Sequence, residues 1–573
     1  MTTESKTNLI RKYSIKNALD YGKANSSSVL GKVLSKIKMQ KKELQGLKKE
    51  VENIVNEVNK LSKEDLKKEY GKYEAEFEEE YEKKLEVTAK PRMQLEGAVA
   101  GSFATRFAPE PNGYLHIGSA KAVFLAKEFA KIYKGKLFLY FDDTNPEKET
   151  KEFVDYIKAD LDWLGVKFDK EYYASDNLEK IYEYAKKLIG KNKAYVCMCK
   201  QETIKDDRFK GIECAHRKQH YEENIALFEG MLEGKYAEET TIVRYKGDMK
   251  SQNTVLRDPT LLRIKKHKHY RQGSKYIVWP TYDFNTPIND SINGVTDAIR
   301  TKEYELRDAL YRGLLEDLDL RVPRVHYDAR LTIKDNITHK RDLNRLIKEG
   351  LLKGFDDPRL VTLSALRIRG IQPEAIREFV LSSGMSKYDT KIDISYLLAV
   401  NKRIIDPMAK RLFYVKNPVK IKVGGAKDTE VSIKLHPTND LGVREYNLGD
   451  TFYISDDDAS VLKNNDTVRL KELFTIRIKK KSEDLINAEL DQSDSEKKVQ
   501  WVSDNNYIRC SILIPGNPID KNGNFDKESL KTSSGYIEKY ATNLKAQEIV
   551  QLERFCFSIL HNKEKMEFIF ISK

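Results

Sequence analysis

Cysteine is scarce, with 5 in 573 residues, so a disulfide scaffold is excluded as the stabiliser of a chain this long. Long apolar runs are missing as well. No stretch approaches the roughly 18 apolar residues of a membrane-spanning helix. The first residues, MTTESKTNLIRKYS, contain no apolar signal core. A cytoplasmic protein without membrane contact is therefore expected. Acidic residues are outnumbered, 89 against 102 Lys and Arg, which leaves a net charge of +13. That balance favours a polyanionic partner, because each neutralised phosphate releases counterions; a generally Lys-rich composition gives the same balance. With 40% hydrophobic and 33% charged residues, the chain reads as globular with a heavily ionised surface. It is too long for one core, so three to five domains are expected.

Residues 1–95 read as a charged helical extension. Val51, Ile54, Val55, Val58 and Leu61 share one helix face, Ser62 and Asp65 mark a helix start, and Lys90-Pro91 is a plausible boundary. Residues 96–194 alternate strand and helix: SFATRFA, a turn at PEPNG, a helix with Val123, Ala126, Ala130 and Tyr133 on one face, the strand KLFLYF, and a helix through Phe153, Ile157 and Leu161. This is the pattern of a Rossmann-like parallel α/β sheet. Residues 195–275 interrupt it. The pattern returns over 276–334 with KYIVWPTYDF and GVTDAIR. Residues 335–410 read as a helical connector. From 411 to 573 many short strands separated by Gly, Asn and Asp turns predict β-barrels. The fold class is multidomain α/β.

Five groups of residues point to chemistry. The first is Arg106-Phe-Ala-Pro-Glu-Pro-Asn-Gly-Tyr-Leu-His-Ile-Gly-Ser119, between a strand and a helix. Gly113 and Gly118 allow close backbone approach, the helix N-terminus attracts anions, and His116 stands where a phosphate would rest. The second is Phe141-Asp142-Asp143-Thr144-Asn145-Pro146 at the carboxyl end of a strand. Its acids suit an ammonium group or, alternatively, cap the next helix. The third is Tyr282-Asp283-Phe284 followed by Gly294–Tyr304, with Arg300 able to pair with a buried carboxylate; a surface arginine is the alternative. Asp297, close by, is expected to orient Arg300 or to tie it up. The fourth is Ile337-Thr338-His339-Lys340-Arg341-Asp342. The fifth is Cys197-Met-Cys199 and Cys214-Ala-His216, four ligands suited to a closed, structural Zn²⁺ site. The basic stretch Arg263–Lys275 is either a phosphate contact or a solvated face, and Trp501 is read as packing.

The first segment resembles the ATP-binding motif of class I aminoacyl-tRNA synthetases, in the form used by glutamyl- and glutaminyl-tRNA synthetases. It departs at Ser119, where the family has a second His. The resemblance implies that Arg106, Asp142, Tyr282 and Arg300 hold glutamate. It implies that His116, Gly118, Ser119, Lys340 and Arg341 hold ATP with Mg²⁺, His116 and Lys340 being catalytic. Arg300 favours a glutamyl over a glutaminyl enzyme. His339 and Asp342 depart from the family's second motif, so a non-catalytic tRNA-binding paralogue stays open beside the glutaminyl reading. The insertion 195–275 resembles the acceptor-binding domain, and 411–573 the anticodon-binding barrels of archaeal and eukaryotic members. tRNA-Glu is the implied partner, with tRNA-Gln a second substrate in a non-discriminating enzyme, and a monomer is expected.

Overall fold

A computed structural model describes residues 3–34, 44–73, 76–77, 93–337, 339–426, 429–482 and 485–573. Lys90-Pro91 and Thr338 lie outside the described residues. The chain divides into two compact units, Met1–Pro91 and Arg92–Lys573.

The first unit holds helices α1 (Thr3–Tyr21), α2 (Ser26–Leu34), α3 (Leu44–Val58) and α4 (Lys63–Gly71). The stripe Val51, Ile54, Val55 and Val58 is buried against Ile10, Tyr13, Val29 and Val33, which is why so charged a segment holds a core of its own. Ser62 Oγ accepts the Asp65 amide at 3.1 Å and caps α4, a contact worth about 1 kcal/mol.

The second unit begins with β1 (Ala104–Phe107), α5 (Ile117–Ile132), β2 (Lys136–Phe141), α6 (Lys151–Trp163) and β3 (Lys170–Tyr173), the strands parallel in the order β1-β2-β3. All four residues of β1 are buried, where the sequence suggested alternation; a strand inside a sheet covered on both faces has no solvent side. Gly135 turns the chain into β2, and a Cβ there would lie 2.2 Å from the Phe103 carbonyl oxygen.

The insertion follows: α7 (Leu178–Gly190), β4 (Ala194–Cys197), α8 (Gln201–Lys210), α9 (Tyr221–Leu232), β5 (Ile242–Tyr245), β6 (Thr260–Ile264) and β7 (Val278–Pro280). Its strands are antiparallel in chain order. Here the sequence reading is corrected: the VWP of KYIVWPTYDF pairs with β6 as an edge of the insertion, instead of resuming the parallel sheet. Its apolar side chains fill the core beneath α7 and α9, where Val278 and Trp279 are fully buried.

The parallel pattern resumes with α10 (Tyr282–Ile292), β8 (Asp297–Thr301), α11 (Asp308–Asp317) and β9 (Arg324–Asp328). The Thr296 amide donates to the Ala104 carbonyl at 2.8 Å, so β8 starts alongside β1. Beyond β10 (Leu331–Ile333) come α12 (Lys340–Lys348) and the helices Leu363–Ile368, Pro373–Ser382 and Ile394–Ile405. Two seven-stranded sheets complete the unit. In one, both edges come from a single segment, Lys410–Leu412 and Tyr414–Lys416; in the other they are Lys498–Val499 and Val502–Ser503. Each sheet is thereby curled until its edges meet at a corner residue. Trp501 occupies the second corner, buried, its indole N–H donating to the Lys471 carbonyl at 2.9 Å.

Candidate active site

The turn after β1 and the first turn of α5 form one wall of a cavity of about 500 Å³. His116 caps α5: its Nδ1 accepts the Gly118 amide at 3.0 Å, so the neutral ring carries its proton on Nε2. Burial and the nearby Arg330 lower its pKa. A Cβ on Gly118 would lie 2.7 Å from the ring, so glycine is what lets the histidine fold back over the helix end. The Ser119 hydroxyl oxygen accepts the His116 amide at 3.4 Å and keeps its own proton free to donate. The substitution of the expected second His thus preserves a capping box and gives up only a potential charge.

Lys340, Arg330 and His339 stand on the other wall of the same cavity. The Lys340 stem runs over Gly113, where a Cβ would lie 3.3 Å from Lys340 Cδ. Its ammonium, 4.7 Å from the Phe153 ring, has no carboxylate partner among the described residues, and burial lowers its pKa. Two motifs more than 200 residues apart therefore meet across one cavity lined by cations and a helix N-terminus. Arg341 is exposed and lies outside the lining residues.

The second group opens beneath. Neither acid of Asp142-Asp143 caps α6; Thr150 does, its Oγ1 accepting the Phe153 amide at 3.3 Å. Asp142 Oδ1 accepts Asn285 Nδ2 at 2.8 Å. Burial, with help from the neighbouring Glu110 and Asp143 carboxylates, pushes its pKa up to about 7. Asp143 is fully buried and accepts from the Ser175 amide and hydroxyl, both at 2.8 Å, and from Tyr270 at 3.0 Å.

Arg300 lies in β8, 6% exposed. Its Nε and Nη2 donate to the Tyr282 hydroxyl at 3.1 and 2.7 Å, and its plane lies among the rings of Tyr282, Tyr304 and Tyr311. Its Nη1 is buried with no hydrogen-bond partner. Arg106 is committed elsewhere: Nε and Nη2 donate to the two oxygens of Asp290 at 2.7 and 3.3 Å, and Nη1 to the Ile299 carbonyl at 3.0 Å. Asp290 is thus taken by Arg106, and Arg300 has no carboxylate partner among the described residues. Asp297 does not touch Arg300. It faces the other way and accepts from Arg324 at 2.7 Å and His326 at 2.9 Å; successive strand residues point to opposite faces, and three positions separate the two. Burial works against its charge, and the hydrogen bonds from His326, Arg324 and Thr296 outweigh it, holding the carboxyl well below the usual range.

The Cys197, Cys199 and Cys214 sulfurs and His216 Nδ1 all lie within 4.8 Å of one another. Sulfur pairs stand 3.8 and 3.5 Å apart and sulfur–nitrogen pairs 3.5 and 3.2 Å. A tetrahedral ion with bonds of about 2.3 Å to sulfur and about 2.0 Å to nitrogen requires edges of about 3.8 and about 3.5 Å. The donor set therefore fits a four-coordinate metal. The buried Arg244 lies 3.9 Å from the Cys197 sulfur, placing a cation beside the thiolates.

Two further points separate sequence from structure. The basic stretch remains solvated at Arg271, Ser274 and Lys275, but its second half is anchored: Tyr270 is bound to Asp143, Arg271 pairs with Asp176 at 2.9 Å, and Gln272 donates to the Ser175 carbonyl. Asp290, Asn285 and Tyr311 were not anticipated. The signal was present for Asp290: an acid in a helix buried continuously from Phe284 to Ser291 must have a partner.

A family model described as "tRNA synthetases class I (E and Q), catalytic domain" matches residues 102–407. Two models described as the anti-codon binding domain of the same synthetases match 409–492 and 498–561. The chain is 40% identical to a protein named glutamate–tRNA ligase from Nitrosopumilus maritimus, over 95% of this chain and 96% of that one. It is 38% identical to proteins of that name from Pyrococcus furiosus, over 96% of both chains, and Thermococcus kodakarensis, over 99% of both. With the catalytic and anticodon-binding matches covering nearly the whole second unit, the chain belongs to the class I (E and Q) tRNA synthetases.

Proposed function

We propose that the chain is a glutamate–tRNA ligase. One observation carries the choice of amino acid: a buried Arg300 whose Nη1 has no partner and whose charge meets no carboxylate among the described residues. A side-chain carboxylate satisfies both the hydrogen-bond and the charge deficit, and an amide satisfies only the first. Asp142 takes the α-ammonium, Tyr282 orients Arg300, and Arg106 with Asp290 supports the floor of the pocket.

The α-carboxylate oxygen of glutamate attacks the α-phosphorus of ATP and pyrophosphate leaves. The 3′-terminal hydroxyl of tRNA then attacks the acyl carbon and AMP leaves. Mg²⁺ travels with ATP and supplies charge neutralisation at the phosphates. His116 Nε2–H, the Ser119 hydroxyl at the end of α5 that Gly118 keeps open, and Lys340 donate to the phosphates, and Lys340 matters most as charge develops on the leaving pyrophosphate. Arg341, next to Lys340 in the first turn of α12, adds positive charge beside the phosphates. Cys197, Cys199, Cys214 and His216 hold a structural zinc in the acceptor-binding insertion, which extends over 178–280. Residues 96–177 and 281–334 form the catalytic halves, 335–410 the connector, 411–573 the anticodon barrels and 1–95 the N-terminal extension. The setting is cytoplasmic, and tRNA-Gln is a second substrate beside tRNA-Glu.

Aminoacylation of tRNA-Glu and tRNA-Gln with each amino acid, side by side, tests this. Glutamate is the expected substrate, and Arg300→Leu is expected to lower its kcat/KM by about 100-fold or more, the cost of an unpaired buried carboxylate. Preference for glutamine, or no charging of any tRNA, overturns the reading.

A further inference from the structure

Lys121 lies in the second turn of α5, and its side chain is 5% exposed. Its ammonium sits 2.7 Å from Asp328 Oδ2 and donates to the Ala329 carbonyl at 3.1 Å. Asp328 ends β9, and its Oδ1 accepts the Ser386 amide at 3.0 Å. The Ala329 amide donates back to the Ser386 carbonyl at 2.6 Å, and the Arg330 amide to Asp389 at 3.3 Å. One buried ion pair thus ties together three segments: the helix whose end carries His116, Gly118 and Ser119, the chain leaving β9 towards Lys340, and the 386–389 loop. Lys121, Asp328 and Ala329 all border the ATP cavity.

Apolar side chains would hold these segments together equally well, since a buried ion pair gains little net stability after desolvation. What the pair adds is direction. An ammonium fixed by oxygens of two consecutive residues sets both a distance and an orientation. Two of its three N–H donors are taken by Asp328 and Ala329, and its charge is paired there.

We propose that Lys121 is a positioning residue for adenylate formation, fixing the phosphate-binding end of α5 against the segment that presents Lys340. The proposal rests on the ligase reading. Ground-state ATP is gripped by α5, on one side of the joint, and the leaving pyrophosphate is met by Lys340, on the other. Loosening the joint therefore costs kcat more than it costs KM for ATP.

The test is ATP–pyrophosphate exchange by the full chain with glutamate and tRNA, with thermal melting of each variant. Lys121→Met is expected to lower kcat by about 10- to 100-fold, the effect of a misplacement of about 1 Å, with KM for ATP within about threefold. Lys121→Arg recovers most of the rate. The double variant Lys121→Met/Asp328→Leu, which leaves no unpaired buried charge, regains the melting temperature but not kcat. Three results overturn the proposal: Lys121→Met leaves kcat unchanged, it raises KM for ATP as much as it lowers kcat, or the double variant regains stability and rate together. The wild-type rate in the same assay reports on the ligase reading alone, and the ratio of variant to wild type reports on Lys121.

Discussion

Asp142 and Arg300 show what single residues contribute to the pocket. Both are ionisable groups held away from water with incomplete pairing, an arrangement that costs stability and, on the ligase reading, would serve a zwitterion. For Asp142 the sign is definite. Its folded-state pKa, about 7, lies above the ordinary 3.8, so the ligand-free protein binds the extra proton and loses stability as pH rises from about 4 to about 7. A bound ammonium reverses this by favouring the ionised form. The free enzyme must be ionised at Asp142 to accept glutamate, so kcat/KM for glutamate is expected to rise about tenfold per pH unit up to about pH 7 and then level off. A profile that stays flat between about pH 6 and about pH 8 removes Asp142 from that role. Residue types and spacing singled out Asp142, Tyr282, Arg300, His116 and Lys340, and the fold brings His116 and Lys340 to one cavity and Tyr282 against Arg300. They did not reveal that Arg106 is spent on Asp290, because that partner lies 184 residues away.

Among elements, strand ends and helix starts do the positioning. α5 puts its N-terminus at the cavity because only the turn 108–115 separates its cap, His116, from a short strand that stops at Phe107. The insertion illustrates the opposite case. Its knuckle was readable from Cys-x-Cys and Cys-x-His, since metal ligands must lie close in space whatever the fold. Its edge strand VWP was not, because three apolar residues carry no periodicity that tells a parallel from an antiparallel partner. The knuckle residues 198–218 hold few buried apolar side chains of their own, so zinc binding, worth about 10–16 kcal/mol in small zinc folds, is expected to order them. Protein purified without chelator should carry about one zinc per chain by atomic absorption. Cys214→Ser should lose that metal and open 198–218 to proteolysis. Metal-free protein with this segment protease-resistant would refute the assignment.

At the scale of the whole molecule the surplus of basic residues sets the response to salt. A protein with charge +13 that grips a tRNA backbone should show log affinity falling linearly with log salt. KM for tRNA is expected to rise by about tenfold or more between about 50 and about 200 mM salt, with KM for glutamate changing less than about threefold. Equal changes in both would trace the salt effect to the catalytic pocket instead. By itself the sequence determined the α/β class, the β-rich C-terminus, the synthetase family, the strand–turn–helix that ends in His116 and Gly118, and the grouping of Cys197, Cys199, Cys214 and His216. These depend on local periodicity, turn chemistry and residue type, all of which act over a few positions. Only the tertiary structure decided that Arg106 pairs with Asp290, that Asp297 turns from Arg300 to Arg324 and His326, that the basic stretch is anchored to Asp143 and Asp176, and that Lys121 bridges to Asp328. Each of these joins charges far apart in sequence, and a charge buried by folding takes whichever partner the packed chain brings within reach.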